Sequence, residues 1–333
     1  MNIVYSSSDS YASIAGVSLY SLLTNNKTCE ELNVFIIDNH ISEKNKKKFA
    51  KMCEDFARPL YFVPIADIEK LAGTSIDIGR WNISTFGRLF EASLLPKWVE
   101  KVIHVDCDTM IMSSLEPLWN LDMTGKIVAG ALECIGDNYK TEIGLSADDT
   151  YINAGNIMLN LKKIRQDGTE ELFKKYIAEH AQLSFVDQAV LNACVPSDKK
   201  LVVPLEYNAY SMVFYVKYKN LKRVKRVSSY YSEEEVAQAV KNPCIVHFTT
   251  CFMDGTRPWM ENNFHPMLDK YLEFRQNSPW ADEPLWKDNR NKLKKAAYKM
   301  FTILPERLVT SALGFVHGVI IPHKNKRKSR AEV

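Results

Sequence analysis

The 333-residue chain predicts an α/β fold with a single central sheet and helices on both of its faces. Three observations carry this expectation. Short apolar, β-branched runs alternate with helical stretches through the first half, the spacing of strand–helix units in a largely parallel sheet. Acidic residues stand directly behind strand-like runs: Asp9 follows Ile3–Tyr5, and Asp106 and Asp108 follow Val102–Val105. In an open α/β sheet that rim collects ligands. Finally, 46% hydrophobic and 25% charged residues describe a globular chain able to bury a sizeable core.

The elements follow in order. Ile3–Tyr5 reads as the first strand, Ala12–Leu23 as a helix and Asn33–Ile37 as the second strand. Ser42 reads as the N-cap of a Lys-rich amphipathic helix running to about Phe56, with Glu43 in its first turn. Leu60–Val63 is a third strand, Phe86–Leu95 a helix stopped by Pro96, and Val102–Val105 a buried strand. Further on, Ile127–Leu132 and Ile157–Leu161 read as strands, Asn153-Ala154-Gly155-Asn156 as a turn between them, and Thr169–Glu179 as a helix. Gln188–Cys194 lies in another helix, and Cys244–Phe248 is a late strand ending near His247. With no internal repeat or low-complexity linker, residues 1–280 read as one domain and 281–333 as a basic amphipathic tail.

Charge divides the chain the same way. Twelve Lys/Arg against five Asp/Glu from Ala281 onward make the tail +7, which leaves −4 on residues 1–280 of the total +3. A mildly acidic body excludes a nucleic-acid face on the fold, and the tail suits an anionic surface. Seven scattered cysteines without a C-x-x-C pair fit reduced thiols rather than a disulfide framework. The start has no basic or apolar leader, and no run is long enough to span a bilayer, so a cytoplasmic protein is expected.

The chemistry begins with Asp106-Cys107-Asp108. At a strand end, period-two spacing throws both carboxylates to one side and Cys107 to the other. Two such charges repel unless a cation or hydrogen-bond donors separate them. Hard oxygen ligands suit Mg²⁺ or Mn²⁺, although D-x-D is short and an ordinary solvated loop has the same sequence. His247 ends its strand as Asp106 ends its own; as a ligand its imidazole would favour Mn²⁺ over Mg²⁺, and as a structural histidine it would be unremarkable. Arg257, in Asp254-Gly255-Thr256-Arg257-Pro258-Trp259, offers a cation for a phosphate. Asn153, Ala154 and Gly155 suit close approach to a polyhydroxylated ligand, as do Asp187 and Gln188, although Asp187 also fits a helix cap.

Together these residues resemble glycosyltransferase family 8. The matching elements run in the family's order: Ile3-Val4-Tyr5 with Tyr11; Arg88-Leu89 before Leu94-Leu95-Pro96; Asp106-Cys107-Asp108; Leu115-Glu116-Pro117-Leu118-Trp119; Tyr151 to Gly155; Asp187-Gln188 with Leu191-Asn192; and His247-Phe248 with Pro258-Trp259. The resemblance implies a Rossmann-like nucleotide-diphospho-sugar transferase (GT-A) fold on a mixed sheet, and a retaining, metal-dependent hexosyltransferase. Its donor would be a UDP-hexose, its metal Mn²⁺ or Mg²⁺, and its acceptor a saccharide of a cell-surface glycan such as lipopolysaccharide. It further implies that Asp106, Asp108 and His247 hold the metal and that Tyr11 stacks on uracil, with Ser6, Ser8, Asp9 and Cys107 nearby. Arg88, Asn153, Ala154, Gly155, Asp187 and Gln188 would hold the sugar, with Gln188, Asp187 and Arg88 closest to the chemistry, and Arg257 would bind diphosphate. The sequence departs from the family at Ser8 and Ser10, where members usually carry Asp or Asn, and in a longer loop between His247 and Pro258.

Trp286–Phe301 interleaves six Lys/Arg with aromatic and aliphatic residues, Leu308–Ile321 is apolar, and Lys324–Arg330 is basic. That pattern suits the interface of an anionic membrane, and puts the protein on the inner face of the cell membrane, with a tail whose removal leaves donor binding intact. Two other readings share the fold: a sugar-phosphate nucleotidyltransferase, which the glycine-free Ser6–Tyr11 disfavours, and a non-catalytic sugar-binding scaffold, which the Asp/Asp/His set disfavours.

Overall fold

A computed structural model describes residues 1–65, 70–71, 83–180 and 186–316. Among them, a seven-stranded mixed sheet is ordered β3-β2-β1-β4-β7-β6-β8. Its strands are β1 (Asn2–Ser8), β2 (Asn33–Asn39), β3 (Leu60–Pro64), β4 (Val102–Val105), β6 (Val128–Leu132), β7 (Ile152–Leu159) and β8 (Lys200–Val202). Strands β1 to β4 run parallel, whereas β7 is antiparallel to both β4 and β6. The chain builds outward from β1 to β3 and then returns to place β4 on the other side of β1. The order therefore reverses between β1 and β4, which opens a crevice at their carboxyl ends.

The strands sort their side chains by parity. Ile3, Tyr5, Val34, Ile36, Ile103 and Val105 face one core, and Val4, Phe35, Ile37 and Val102 face the other, all of them buried. Each such aliphatic or aromatic side chain contributes about 1.5–3 kcal/mol by leaving water. The helices cover both faces. In α2 (Glu43–Asp55), Phe49, Met52 and Cys53 are buried while the lysines face outward, and Ser42 Oγ accepts from Asn45 N. Helix α1 (Ala12–Asn25) is apolar almost all round because it lies between sheet and outer helices. Its Gly16 admits Trp280, whose ring lies 2.1 Å from where a Cβ would sit.

A second sheet, absent from the expected architecture, joins β5 (Thr109–Ile111), β10 (Ile245–His247) and β9 (Ala209–Tyr210) in the order β5-β10-β9. Two local expectations are corrected. Asn153–Asn156 is strand rather than turn, because β7 lies between two antiparallel neighbours with all eight residues buried; its asparagines are carried inside by side-chain partners described below. The expected helix over Phe86–Leu95 is mostly 3-10, Ile83–Phe90, followed by one α-turn, Glu91–Leu94.

The chain remains on the body after residue 280. Trp286 N donates to Trp259 O at 2.8 Å, and Glu261 N donates to Trp286 O at 2.8 Å. Two helices follow, Lys292–Ile303 and Glu306–Phe315. The second lies on Tyr218–Lys225 through Gly314, where a Cβ would meet Arg223 O at 2.4 Å. The basic stretch Lys324–Arg330 and the end of the apolar run lie outside the described residues. Among the described residues no helix is long and apolar enough to cross a membrane.

Candidate active site

The crevice between β1 and β4 is lined by the residues that follow them. Strand β4 is buried at every position, so the chain emerges at Asp106 with its orientation set by the sheet, and Asp106 N donates to Gly155 O of β7 at 2.8 Å. Three residues on, β5 begins at Thr109 and enters the second sheet. There His247 pairs with Thr109 across an antiparallel ladder, and Phe248 N donates to Asp108 O. This ladder carries a histidine far along the chain to the aspartates. His247 Nε2 lies 3.2 Å from Asp108 Oδ1 and 3.7 Å from Asp106 Oδ2.

One ligand atom each from Asp106, Asp108 and His247 lies within 4.8 Å of the others. Two hard carboxylates and one imidazole suit a divalent cation, and they leave most of its coordination shell for a ligand's oxygens. The imidazole is aimed from behind. His247 Nδ1 lies 2.9 Å from Asn208 Oδ1, so Nδ1–H donates there and Nε2 faces the carboxylates. Asn208 is itself fixed: its Oδ1 accepts from Asn156 Nδ2 at 2.9 Å, and its Nδ2 donates to Asn153 Oδ1 at 2.8 Å. Asn153 Oδ1 also accepts from Gly155 N, and Asn153 Nδ2 donates to Glu133. These bonds engage both asparagines inside β7, although Asn156 Oδ1 stays buried without a hydrogen-bond partner. Gly155 is required by space: a Cβ there would lie 2.4 Å from His247 Cε1 and 2.8 Å from Asp106 Oδ2.

Beneath the pair lies a buried ionic layer. Arg88 donates through Nη2 to Asp106 Oδ1 at 2.6 Å, through Nη1 to Ala154 O and through Nε to Thr85 O at 3.2 Å, and its Nε lies 2.8 Å from Asp187 Oδ2 in an ion pair. His104 has Nδ1 2.5 Å from Glu91 Oε1 and Nε2 3.6 Å from Asp106 Oδ1. Burial alone would raise the Asp106 carboxyl, but Arg88, with His104 and His247, holds it well below the usual carboxylate range. Asp108 is also lowered, against burial, by His247 and Arg257. Asp187 moves the other way: burial raises it and Arg88 only partly compensates. Burial and the neighbouring cations thus move these carboxyls in opposite directions, Asp106 and Asp108 down and Asp187 up.

On the far side, Arg257 Nη1 lies 2.6 Å from Asp108 Oδ2 and Nη2 donates to Thr250 Oγ1 at 2.8 Å. Gln188 Oε1 accepts from Ala154 N at 3.0 Å, so the amide is anchored beside the strand. Cys107 Sγ donates to Ser6 O at 3.2 Å. Ser8 Oγ bonds Ser10 Oγ, and Asp9 Oδ1 accepts from Ser42 N and Asn45 Nδ2, both at 2.8 Å. Asp9 is therefore engaged with the start of α2. Tyr11 is partly exposed at the rim, edge-on to Trp286 with ring centroids 5.6 Å apart. The structure thus brings Arg88, Asp106, Asp108, Asn153, Ala154, Gly155, Asp187, Gln188, His247 and Arg257 together; Ser6, Ser8, Asp9 and Tyr11 follow at the β1 end. Glu91, His104, Glu133, Asn208 and Trp286 were not anticipated. Only His104, two residues before Asp106, had a position in sequence that pointed to the site.

A mixed sheet whose switch point carries two strand-end aspartates and a histidine defines a GT-A glycosyltransferase fold. The crystal structure of the galactosyltransferase LgtC in complex with donor and acceptor sugar analogues superposes with a TM-score of 0.68 at 19% identity, covering 89% of this chain and 100% of that one. The chain belongs to glycosyltransferase family 8, whose model matches residues 2–263, and it is accordingly a glycosyltransferase. Among curated relatives it is similar to general stress protein A of Bacillus subtilis, 25% identical over 285 residues, 84% of this chain and 94% of that protein. It is also similar to lipopolysaccharide 1,2-glucosyltransferase of Escherichia coli, 24% identical over 290 residues, 85% of this chain and 80% of that protein.

Proposed function

We propose that the protein is a retaining, metal-dependent hexosyltransferase that moves glucose or galactose from a UDP-sugar to a saccharide acceptor of a cell-surface glycan of the lipopolysaccharide type. The observation that carries this reading is the convergence of Asp106, Asp108 and His247 at the crevice, each with one ligand atom within 4.8 Å of the others. These three residues would hold Mn²⁺, with Mg²⁺ as the alternative. Bound there, the cation supplies Lewis-acid stabilisation of negative charge on the departing diphosphate.

The chain's own groups do the rest. Arg257, paired with Asp108, adds a positive charge on the diphosphate side. Tyr11 offers a ring for the uracil, with Ser6, Ser8, Asp9 and Cys107 around it. Arg88 and Asp187, with Asn153, Ala154, Gly155 and Gln188, orient the hexose. A double-displacement route needs a carboxylate nucleophile. Gln188 is an amide, and Asp187 is engaged by Arg88 at 2.8 Å. Attack from the face that UDP leaves fits this set better. The acceptor hydroxyl oxygen bonds to the anomeric carbon, the bond from that carbon to the phosphate oxygen breaks, and the acceptor proton passes to the leaving phosphate.

The exposed Leu293, Ile303 and Leu308, set among Lys292, Lys294, Lys295, Lys299 and Arg307 of the last two helices, support seating of residues 281–333 on the anionic inner face of the cell membrane.

The test is a panel of UDP-sugars assayed for UDP release with Mn²⁺, with Mg²⁺ and with chelator. Release from UDP-glucose or UDP-galactose that chelation abolishes is expected. Asp108→Asn should lower it by orders of magnitude, with the circular dichroism spectrum and melting temperature retained. Metal-independent release, or normal turnover in that variant, rejects the proposal; pyrophosphate release from UTP and a sugar 1-phosphate would replace it.

A further inference from the structure

The segment after residue 285 touches the donor crevice at several points. Trp286 stands edge-on to Tyr11, with ring centroids 5.6 Å apart and planes at 86°, and edge-on to Trp259 at 6.4 Å. Its backbone is bonded on both sides to the Trp259–Glu261 stretch. Further along, Arg290 and Tyr298 close over Gly255. A Cβ on that glycine would lie 2.4 Å from Arg290 Nη1 and 2.4 Å from Tyr298 Cε2. Arg290 is held in place by Asp288 at 2.8 Å, whose side chain is buried and also meets Lys295 at 3.2 Å, and the guanidinium lies 5.0 Å from the Tyr298 ring. Phe301 packs edge-on against Phe252 at 6.3 Å.

The contacts that leave the segment fall on Tyr11 or on the stretch from Phe252 to Glu261. The loop from Thr250 to Trp259 carries Arg257, whose guanidinium reaches Asp108 and lies 5.4 Å from the Trp259 ring. Loops are the mobile parts of a fold unless tied down. Here residues 286–301 add their ties to those of the body, where Tyr215 Oη donates to Asp254 Oδ2 at 3.0 Å and Trp259 lies 6.2 Å from the Tyr271 ring. A long arginine loses less rotamer freedom on meeting its partner when its loop is already fixed, and an aromatic platform binds best when its ring is held.

We infer that residues 286–301 are a strap that positions the donor site: Trp286 sets the Tyr11 ring, and Arg290, Tyr298 and Phe301 set the loop bearing Arg257. The inference rests on the UDP-sugar reading above and replaces the expectation that the tail can be removed without loss of donor binding. Trp286 is a positioning residue, since it acts through Tyr11 and Trp259.

The experiment uses the full chain and four variants: Trp286→Ala, Trp286→Phe, Tyr11→Ala and the Trp286→Ala/Tyr11→Ala double. UDP affinity is measured by calorimetry, and KM and kcat by UDP release. An edge-to-face pair contributes about 0.5–1.5 kcal/mol beyond area, so Trp286→Ala should raise Kd for UDP and KM for the sugar nucleotide roughly twofold to tenfold, with kcat within about twofold of the parent. Trp286→Phe should restore most of the loss. The double variant should bind no more weakly than Tyr11→Ala alone, as expected of residues acting through one contact. Unchanged affinity in a folded Trp286→Ala protein, or losses that simply add in the double variant, overturn the strap while leaving the donor reading intact. Should Trp286→Ala fail to fold, Trp286→Phe decides: parental affinity in it supports an aromatic positioning role, and full loss overturns it. A parent chain that binds no UDP defeats the donor reading, and the strap falls with it.

Discussion

Gly155→Ala isolates the geometry on which the proposed metal chemistry depends. The added methyl would lie 2.4 Å from His247 Cε1, 2.8 Å from Asp106 Oδ2 and 2.9 Å from His247 Nδ1. Non-bonded carbons sit about 3.5–4.0 Å apart, so the imidazole must retreat by at least about 1 Å. It cannot retreat freely, since Nδ1 is bonded to Asn208 at 2.9 Å and His247 is paired in the second sheet. Metal–ligand distances tolerate deviations of only about 0.2 Å, and the required movement exceeds that several-fold. Overpacking of this kind costs about 1–3 kcal/mol. We therefore expect Gly155→Ala to melt somewhat lower but to remain folded, and to lose Mn²⁺ affinity by about tenfold to a hundredfold, the range seen when ligand support is disturbed. Calorimetric titration of Mn²⁺ with UDP present, together with UDP release as a function of Mn²⁺ concentration, measures this. Parental Mn²⁺ affinity in the alanine variant would refute the reasoning, because it would mean that His247 does not need its present place.

Two further outcomes follow from other parts of the structure. Asn208→Ala removes the acceptor for His247 Nδ1 and leaves Asn153 and Asn156 short of a partner; Mn²⁺ affinity should fall about tenfold, with UDP affinity in the absence of metal little changed, both read by calorimetry. Lys200 gives a pH effect of definite sign. Burial brings its amine down to about 8, against the weaker opposing pull of Asp149, while its Nζ donates to the carbonyls of Thr150 and Asn192. Since the unfolded chain keeps that proton up to about pH 10.4, it binds more protons than the folded chain between about pH 8 and pH 10. The contribution of Lys200 to stability should therefore rise across that window by up to about 1.4 kcal/mol per pH unit. Urea unfolding of the parent and of Lys200→Met at pH 7.5, 8.5 and 9.5 checks it, and identical pH slopes would contradict the assignment.

The sequence by itself determined the elements whose residues state their own environment. Val102–Val105 is apolar and β-branched and is found fully buried as β4. The strands at Ile3–Tyr5, Asn33–Ile37 and Leu60–Val63 lie within β1 to β3, and Ser42 caps α2 with its hydroxyl. The Asp-x-Asp pair was legible for the same reason, since charged residues directly behind a buried strand must emerge at a rim. Periodicity failed at β7. A strand paired on both edges and buried on both faces shows no alternation, and its asparagines resembled a turn because their partners, Asn208 and Glu133, are remote in sequence.

Tertiary structure alone decided the rest. The second sheet sets His247 beside Asp108 through the β5–β10 ladder, and no local pattern encodes which strands will pair. The buried Glu91–His104 pair under Asp106 joins the α-turn Glu91–Leu94 to strand β4. Trp286 meets Tyr11 across nearly the full length of the catalytic body. A sequence window reports hydrophobicity, period and charge. Which remote groups meet follows from how the packed layers close, because burial of all apolar faces at once, rather than any local preference, selects those contacts.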